Sequence, residues 1–99
     1  MNLNEFKGHA AAHDAPEASW PAELKALWWD LRGDWKKAHT LCQEPGSVMG
    51  DWIHAYLHRV EGDPGNAAYW YARAKQPVCT DELEVERDTI LADVLETVL

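Results

Sequence analysis

Apolar side chains recur at three- and four-residue steps through most of this chain. Leu24, Leu27, Trp28 and Leu31 predict a helix from about Pro21 to Arg32. A proline suits its first turn, where the missing N–H would have had no partner. Gly33 ends that helix by accepting a left-handed backbone. Asp34 caps a second helix running to about Gln43, and Pro45-Gly46-Ser47 reads as a turn. A third helix is predicted from about Val48 to Glu61, stopping at Gly62. Asp63 then caps a fourth, with Pro64 at its first position, ending near Gln76-Pro77. Thr80 is placed to cap a fifth. Its apolar stripe is Leu83, Ile90, Leu91, Val94, Leu95 and Val98, and its first turn holds Asp81, Glu82 and Glu84. Residues 1–15 carry only Leu3, Phe6 and Ala10 at helical spacing and read as a short docking helix or a loose arm. Pro16 and Pro21 mark the break after it. No stretch alternates as a strand would for long, so the fold class is all-α.

One phrase occurs twice. Leu31-Arg32-Gly33-Asp34-Trp35 returns 29 residues later as Val60-Glu61-Gly62-Asp63-Pro64, and each aspartate is followed four residues on by an alanine, Ala38 and Ala67. Small residues, Ala26 and Ala55, stand seven before each glycine. The phrase Gly33-Asp34-Trp35-Lys36-Lys37-Ala38 resembles the hairpin turn of tetratricopeptide repeats. Gly62-Asp63 with Ala67, Tyr71 and Ala74 resembles the same turn in a second copy. The likeness covers residues 22–77, with a period of 29 where that family uses about 34. Lys25, Asp51, His54 and His58 stand where the family places large apolar residues. The resemblance implies two stacked helical hairpins acting as an interaction scaffold, capped by the last helix and the N-terminal segment. The second hairpin also resembles a signature of small bacterial proteins of unassigned function, which implies no activity. The reading is one helical domain over 1–99: an arm at 1–15, two hairpins over 21–77 and a capping helix over 80–99.

Composition narrows the function classes. Six tryptophans in 99 residues supply large apolar surfaces for a core or a binding face. The net charge of −8 gathers at the end of the chain. Residues 80–99 hold seven acids against Arg87, whereas 17–79 are nearly balanced. Nucleic acid and anionic membrane surfaces, which are bound by basic patches, are therefore excluded as expected partners. No apolar run is long enough to span a membrane, and the N-terminus lacks a basic, apolar leader. Cys42 and Cys79 form no metal-like pair. The expectation is a cytoplasmic protein with reduced thiols. Cys42 should point into a hairpin, and Cys79, placed before a helix N-terminus, should have a lowered pKa.

Motifs for catalysis are missing: no glycine-rich phosphate loop, serine nucleophile elbow or Cys-x-x-Cys pair occurs. The expected function is non-enzymatic binding of a protein or peptide, or self-association as a homo-oligomer, with no cofactor. The expected surface lies between the helices over 21–32 and 48–61, with Trp52, Tyr56 and Arg59 as contacts. Trp70 and Tyr71 should face the helix over 48–61, leaving Tyr69 and Arg73 outward. Ala68 and Ala72 offer a small face on which the last helix could pack.

A second candidate lies on the helix over 48–61. Asp51, His54, His58 and Glu61 follow at steps of three, four and three, spanning about 80° of the helix circumference. Two imidazoles one turn apart can share a metal ion, and a carboxylate one turn away can complete or orient the set. The alternative function is therefore a polar-ligand or metal-dependent site built from His54, His58 and Glu61, with Asp51 as a further ligand. Buried histidines hydrogen-bonded to Tyr71 or Glu61 are the structural explanation of the same pattern. His9 and His13 are expected to be solvated, and His39 to be a surface residue.

Overall fold

The computed structural model describes residues 1–97 and folds them into six α-helices. In chain order these are α1 (Leu3–Ala12), α2 (Ala22–Leu31), α3 (Trp35–Gln43), α4 (Val48–Val60), α5 (Pro64–Ala74) and α6 (Leu83–Thr97). Val98, placed by its spacing in the last apolar stripe, lies outside the described residues.

The repeated phrase makes the same turn twice. Gly33 and Gly62 adopt φ of 78° and 85°, where a Cβ would be strained. Asp34 and Asp63 then accept from the backbone N–H groups of Lys37 and Asn66, capping α3 and α5. Each turn folds a helix back on its predecessor, so α2 packs on α3 and α4 on α5, and α3 rests on α4. Ala26, Ala38, Ala55 and Ala67 sit buried inside these pairs, where small side chains let the helices approach closely. Gly50 marks the tightest approach. A Cβ there would lie 2.5 Å from the carbonyl oxygen of Cys42, at the end of α3.

The N-terminal segment is a docked helix. Asn2 and Glu5 form a reciprocal capping box, and α1 buries Phe6 and Ala10, one turn apart. Arg32 donates to the carbonyl of Ala10, Trp28 Nε1 to His9 Nδ1, and Lys7 to Asp88.

Three helix boundaries differ from the sequence expectation. Pro21 is the N-cap of α2 rather than its first residue. The α5 helix ends at Ala74 because Lys75 takes a left-handed conformation, φ 58°. Thr80 does not cap α6. The guanidinium of Arg59 binds the Asp81 carbonyl and holds that stretch open, and the helix starts at Leu83 with the Glu82 carbonyl accepting from Val85 and Glu86.

The last helix packs elsewhere than on the Ala68/Ala72 face, and both alanines are exposed. Instead α6 lies across α2 and α4 and touches α1. There Ile90, Leu91 and Val94 are fully buried in one core with Phe6, Leu24, Leu27, Trp28, Ile53 and Leu57. Large apolar partners decide this. Fully burying each such side chain is worth about 1.5–3 kcal/mol, which two alanines cannot match.

Both cysteines are free thiols. Cys42 is buried, and burial, reinforced by the charge of Asp51, pushes its pKa up to about 12. Cys79 lies four residues before α6 rather than at its N-terminus. Partial burial raises its pKa, opposite to the lowering expected from the sequence. Since the thiolate is the reactive form, a thiol reagent at neutral pH should label Cys79 slowly and Cys42 hardly at all, with both reacting in denaturant. Equal labelling of both in the native protein would contradict this packing.

Candidate functional site

Two polar constellations are built into the helix interfaces, and both use α4. The first joins α4, α5 and α6 around a single acid. Glu86 is only 2% exposed, although it belongs to the most acidic segment of the chain. It stands four residues before Ile90 and eight before Val94, on the face of α6 that enters the core. Its carboxylate accepts from Arg59 at 2.6 Å, from the Tyr71 hydroxyl at 2.7 Å and from Trp52 Nε1 at 3.2 Å. A buried carboxylate needs this many donors to offset its lost hydration. Alongside, the Tyr56 hydroxyl donates to Asp30 on α2 at 2.8 Å. Burial raises the Asp30 pKa, with the Tyr56 hydrogen bond opposing. Burial also raises the pKa values of Tyr56 and Tyr71, reinforced by the neighbouring carboxylates.

Of the expected contact residues, Tyr56 is buried and reaches α2 through Asp30, whereas Trp52 and Arg59 turn to Glu86 on α6. Tyr71 faces α4 as expected and also reaches α6, whereas Tyr69 and Arg73 point outward. Sequence reasoning missed Glu86. Its signal was an acid in register with the apolar stripe Ile90–Val94.

The second constellation is a histidine cluster between α3 and α4. His54 and His58 share one face of α4 and stack with ring centroids 4.8 Å apart. His39 comes from α3, its Nε2 2.9 Å from Nε2 of His54. The ligating atoms of His39, His54 and His58 all lie within 4.8 Å of one another. Trp70 stacks on His54 at 3.8 Å and Trp35 on His39 at 4.5 Å, so indoles wall the cluster on both sides. Trp35 is itself fixed by donating to the Leu57 carbonyl at 2.7 Å.

The acids take different places. Glu61 bonds His58 Nδ1 at 2.5 Å, whereas Asp51 turns away to Arg73, 3.7 Å distant. Burial, then the neighbouring imidazoles and Arg73, lowers the pKa of His54 to about 4. Burial likewise lowers that of His39. Both rings are therefore neutral at physiological pH, each with one N–H and one lone pair, and their Nε2 atoms share a single hydrogen bond.

His39 is not the surface residue its sequence context suggests. It is half-buried and belongs to the cluster. The available signal was the stripe Trp35, His39 and Gln43, at four-residue steps. Gln43 supports His39 through Nδ1 at 3.3 Å. His9 and His13 stay apart from this group. His9 accepts from Trp28 and meets Glu17 at 3.0 Å, with the exposed ring of His13 stacked on it.

Among the described residues no helix is long and apolar enough to cross a membrane. No protein-family model matches the chain, and no curated protein or solved structure matches it either.

Proposed function

We propose that this chain is a non-enzymatic binding protein whose groove between α2 and α4 receives an acidic amphipathic helix. Its own α6 fills the groove in the closed form. A helix of the same chemistry from another chain, including a second copy, takes its place in an open form. The observation that carries this reading is the way α6 is seated. Glu86, Ile90 and Val94, at four-residue steps, are all buried there, and Arg59 pairs with the acid. Helix-in-groove recognition uses this kind of anchor spacing. Trp52, Tyr56 and Arg59 are then the groove's polar contacts. The eight residues from Lys75 to Glu82, which carry no helix, tether α6 to the rest of the chain.

The test is a fluorescent peptide of residues 80–97 added to the full-length protein, followed by anisotropy. Glu86→Gln in the protein weakens its resident helix, so the peptide should bind this variant more tightly than wild type. Adding Arg59→Ala should remove that gain. If neither folded protein binds the peptide, or if Arg59→Ala leaves binding unchanged, the groove does not exchange helices.

A further inference from the structure

We infer that His39, His54 and His58 form a binding site for one transition-metal dication of the zinc, copper or nickel class, held through three imidazole nitrogens. Glu61 acts behind His58 as an orienting acceptor. The site goes beyond helix binding in the α2/α4 groove and stands independently of it.

The donor set selects the class of ion. Imidazole nitrogens suit zinc, copper and nickel, whereas magnesium and calcium require oxygen ligands. A thiolate site is not formed, since the Cys42 thiol turns to the His39 carbonyl. Three histidines on two packed helices also supply what a metal site needs and an isolated pair does not: ligands from separate elements, fixed by packing. Trp35 and Trp70 fix the ring planes of His39 and His54. Glu61 fixes that of His58.

Each ring has a consistent protonation state. With Nδ1 of His58 donating to Glu61, its Nε2 is the free lone pair, and among the described residues that nitrogen has no hydrogen-bond partner. A carboxylate behind a ligating histidine sets its tautomer and ring orientation. His39 and His54 present Nε2 to each other, so in the metal-free protein one proton must sit between two acceptors. A metal ion takes its place, and the proton moves to Nδ1 of its own ring, so that both imidazoles ligate as neutral rings through Nε2. Two nitrogens bound at about 2.0–2.1 Å in tetrahedral geometry stand roughly 3.3 Å apart. The pair therefore needs to open only slightly from 2.9 Å. Gln43, beside His39 Nδ1, can then turn its amide oxygen to accept from that nitrogen, in exchange for the bond its Nε2 donates to the His39 carbonyl at 2.8 Å.

The alternative is a buried hydrogen-bonded histidine pair with no ligand. It accounts for His39 and His54 but gives no role to the orientation of His58 by Glu61.

The test uses full-length protein stripped with a chelator and titrated calorimetrically with Zn²⁺. Cobalt substitution follows, to read the coordination from the visible spectrum. One equivalent should bind per chain, and Co²⁺ should give the intense absorption of a four-coordinate site. His39→Ala is the decisive variant, because His39 is the most exposed of the three and its loss should leave the fold intact by circular dichroism. It should weaken Zn²⁺ binding by well over the roughly 10–100-fold expected of Glu61→Gln. His9→Ala should leave Zn²⁺ binding unchanged. Failure of the folded wild-type protein to bind Zn²⁺, Cu²⁺ or Ni²⁺ would overturn the site. So would stoichiometric binding that survives His39→Ala or is abolished by His9→Ala.

Discussion

Glu86→Ala should remove about 3–5 kcal/mol of folding stability, the cost of breaking a buried ion pair by deleting one partner. The substitution strands three donors at once: the Arg59 guanidinium, the Tyr71 hydroxyl and the Trp52 indole N–H. The Tyr71 hydroxyl cannot turn to water, since the residue is 1% exposed, and the Arg59 side chain, 18% exposed, keeps only its bond to the Asp81 carbonyl. A domain of this size holds only about 5–15 kcal/mol in total, so the loss is a large share of its stability. Glu86→Gln keeps an acceptor and most of the shape, and should cost less. Urea titration of the three proteins measures both differences. A double-mutant cycle with Tyr71→Phe should return a coupling of about 0.5–3 kcal/mol. If Glu86→Ala melts within about 1 kcal/mol of wild type, the carboxylate does not hold α6 to α4 and α5.

Trp28→Ala should be comparably severe, at about 3–5 kcal/mol. The indole is fully buried where α1, α2 and α6 meet, edge-on to Trp29 at a centroid distance of 4.9 Å. Its removal leaves a cavity that the surrounding helices cannot collapse to fill, and it deprives His9 Nδ1 of its donor. For about 100 residues each lost kcal/mol lowers the midpoint by roughly 4–8 °C. The expected fall is therefore on the order of 15 °C or more, read by thermal denaturation. Trp28→Phe, which keeps an aromatic ring, should lose less. A midpoint shift of only about 5 °C for the alanine variant would mean that α1 is not anchored through this residue.

The helices were legible because their signals are local. The glycine at each turn, the aspartate after it and the apolar spacing each act within a few residues, and the folded chain uses them as the sequence suggests. The placement of α6 was not legible. Ala68 and Ala72 advertise a close approach, but the competing surface at Leu27, Trp28, Ile53 and Leu57 is assembled from two helices and exists only after folding. The site divides in the same way. His54, His58 and Glu61 share one helix and could be grouped by spacing. His39 is joined to them by the packing of α3 on α4, and its local stripe with Trp35 and Gln43 marks a shared face of α3 without saying which helix that face meets. Glu86 was hidden differently. Among so many acids at the chain's end, the one that turns inward is marked only by register with Ile90 and Val94.

Gly50 carries a consequence for residues it never touches. Any side chain at this position would collide with the Cys42 carbonyl and drive the end of α3 away from α4. His39 lies one turn before Cys42 on α3, and His54 one turn after Gly50 on α4. Hinging the two helices apart at that crossing would pull the facing imidazoles out of reach of each other. The spacing of the histidines is thus set by the hydrogen atom that Gly50 carries in place of a side chain, facing the Cys42 carbonyl one turn from His39.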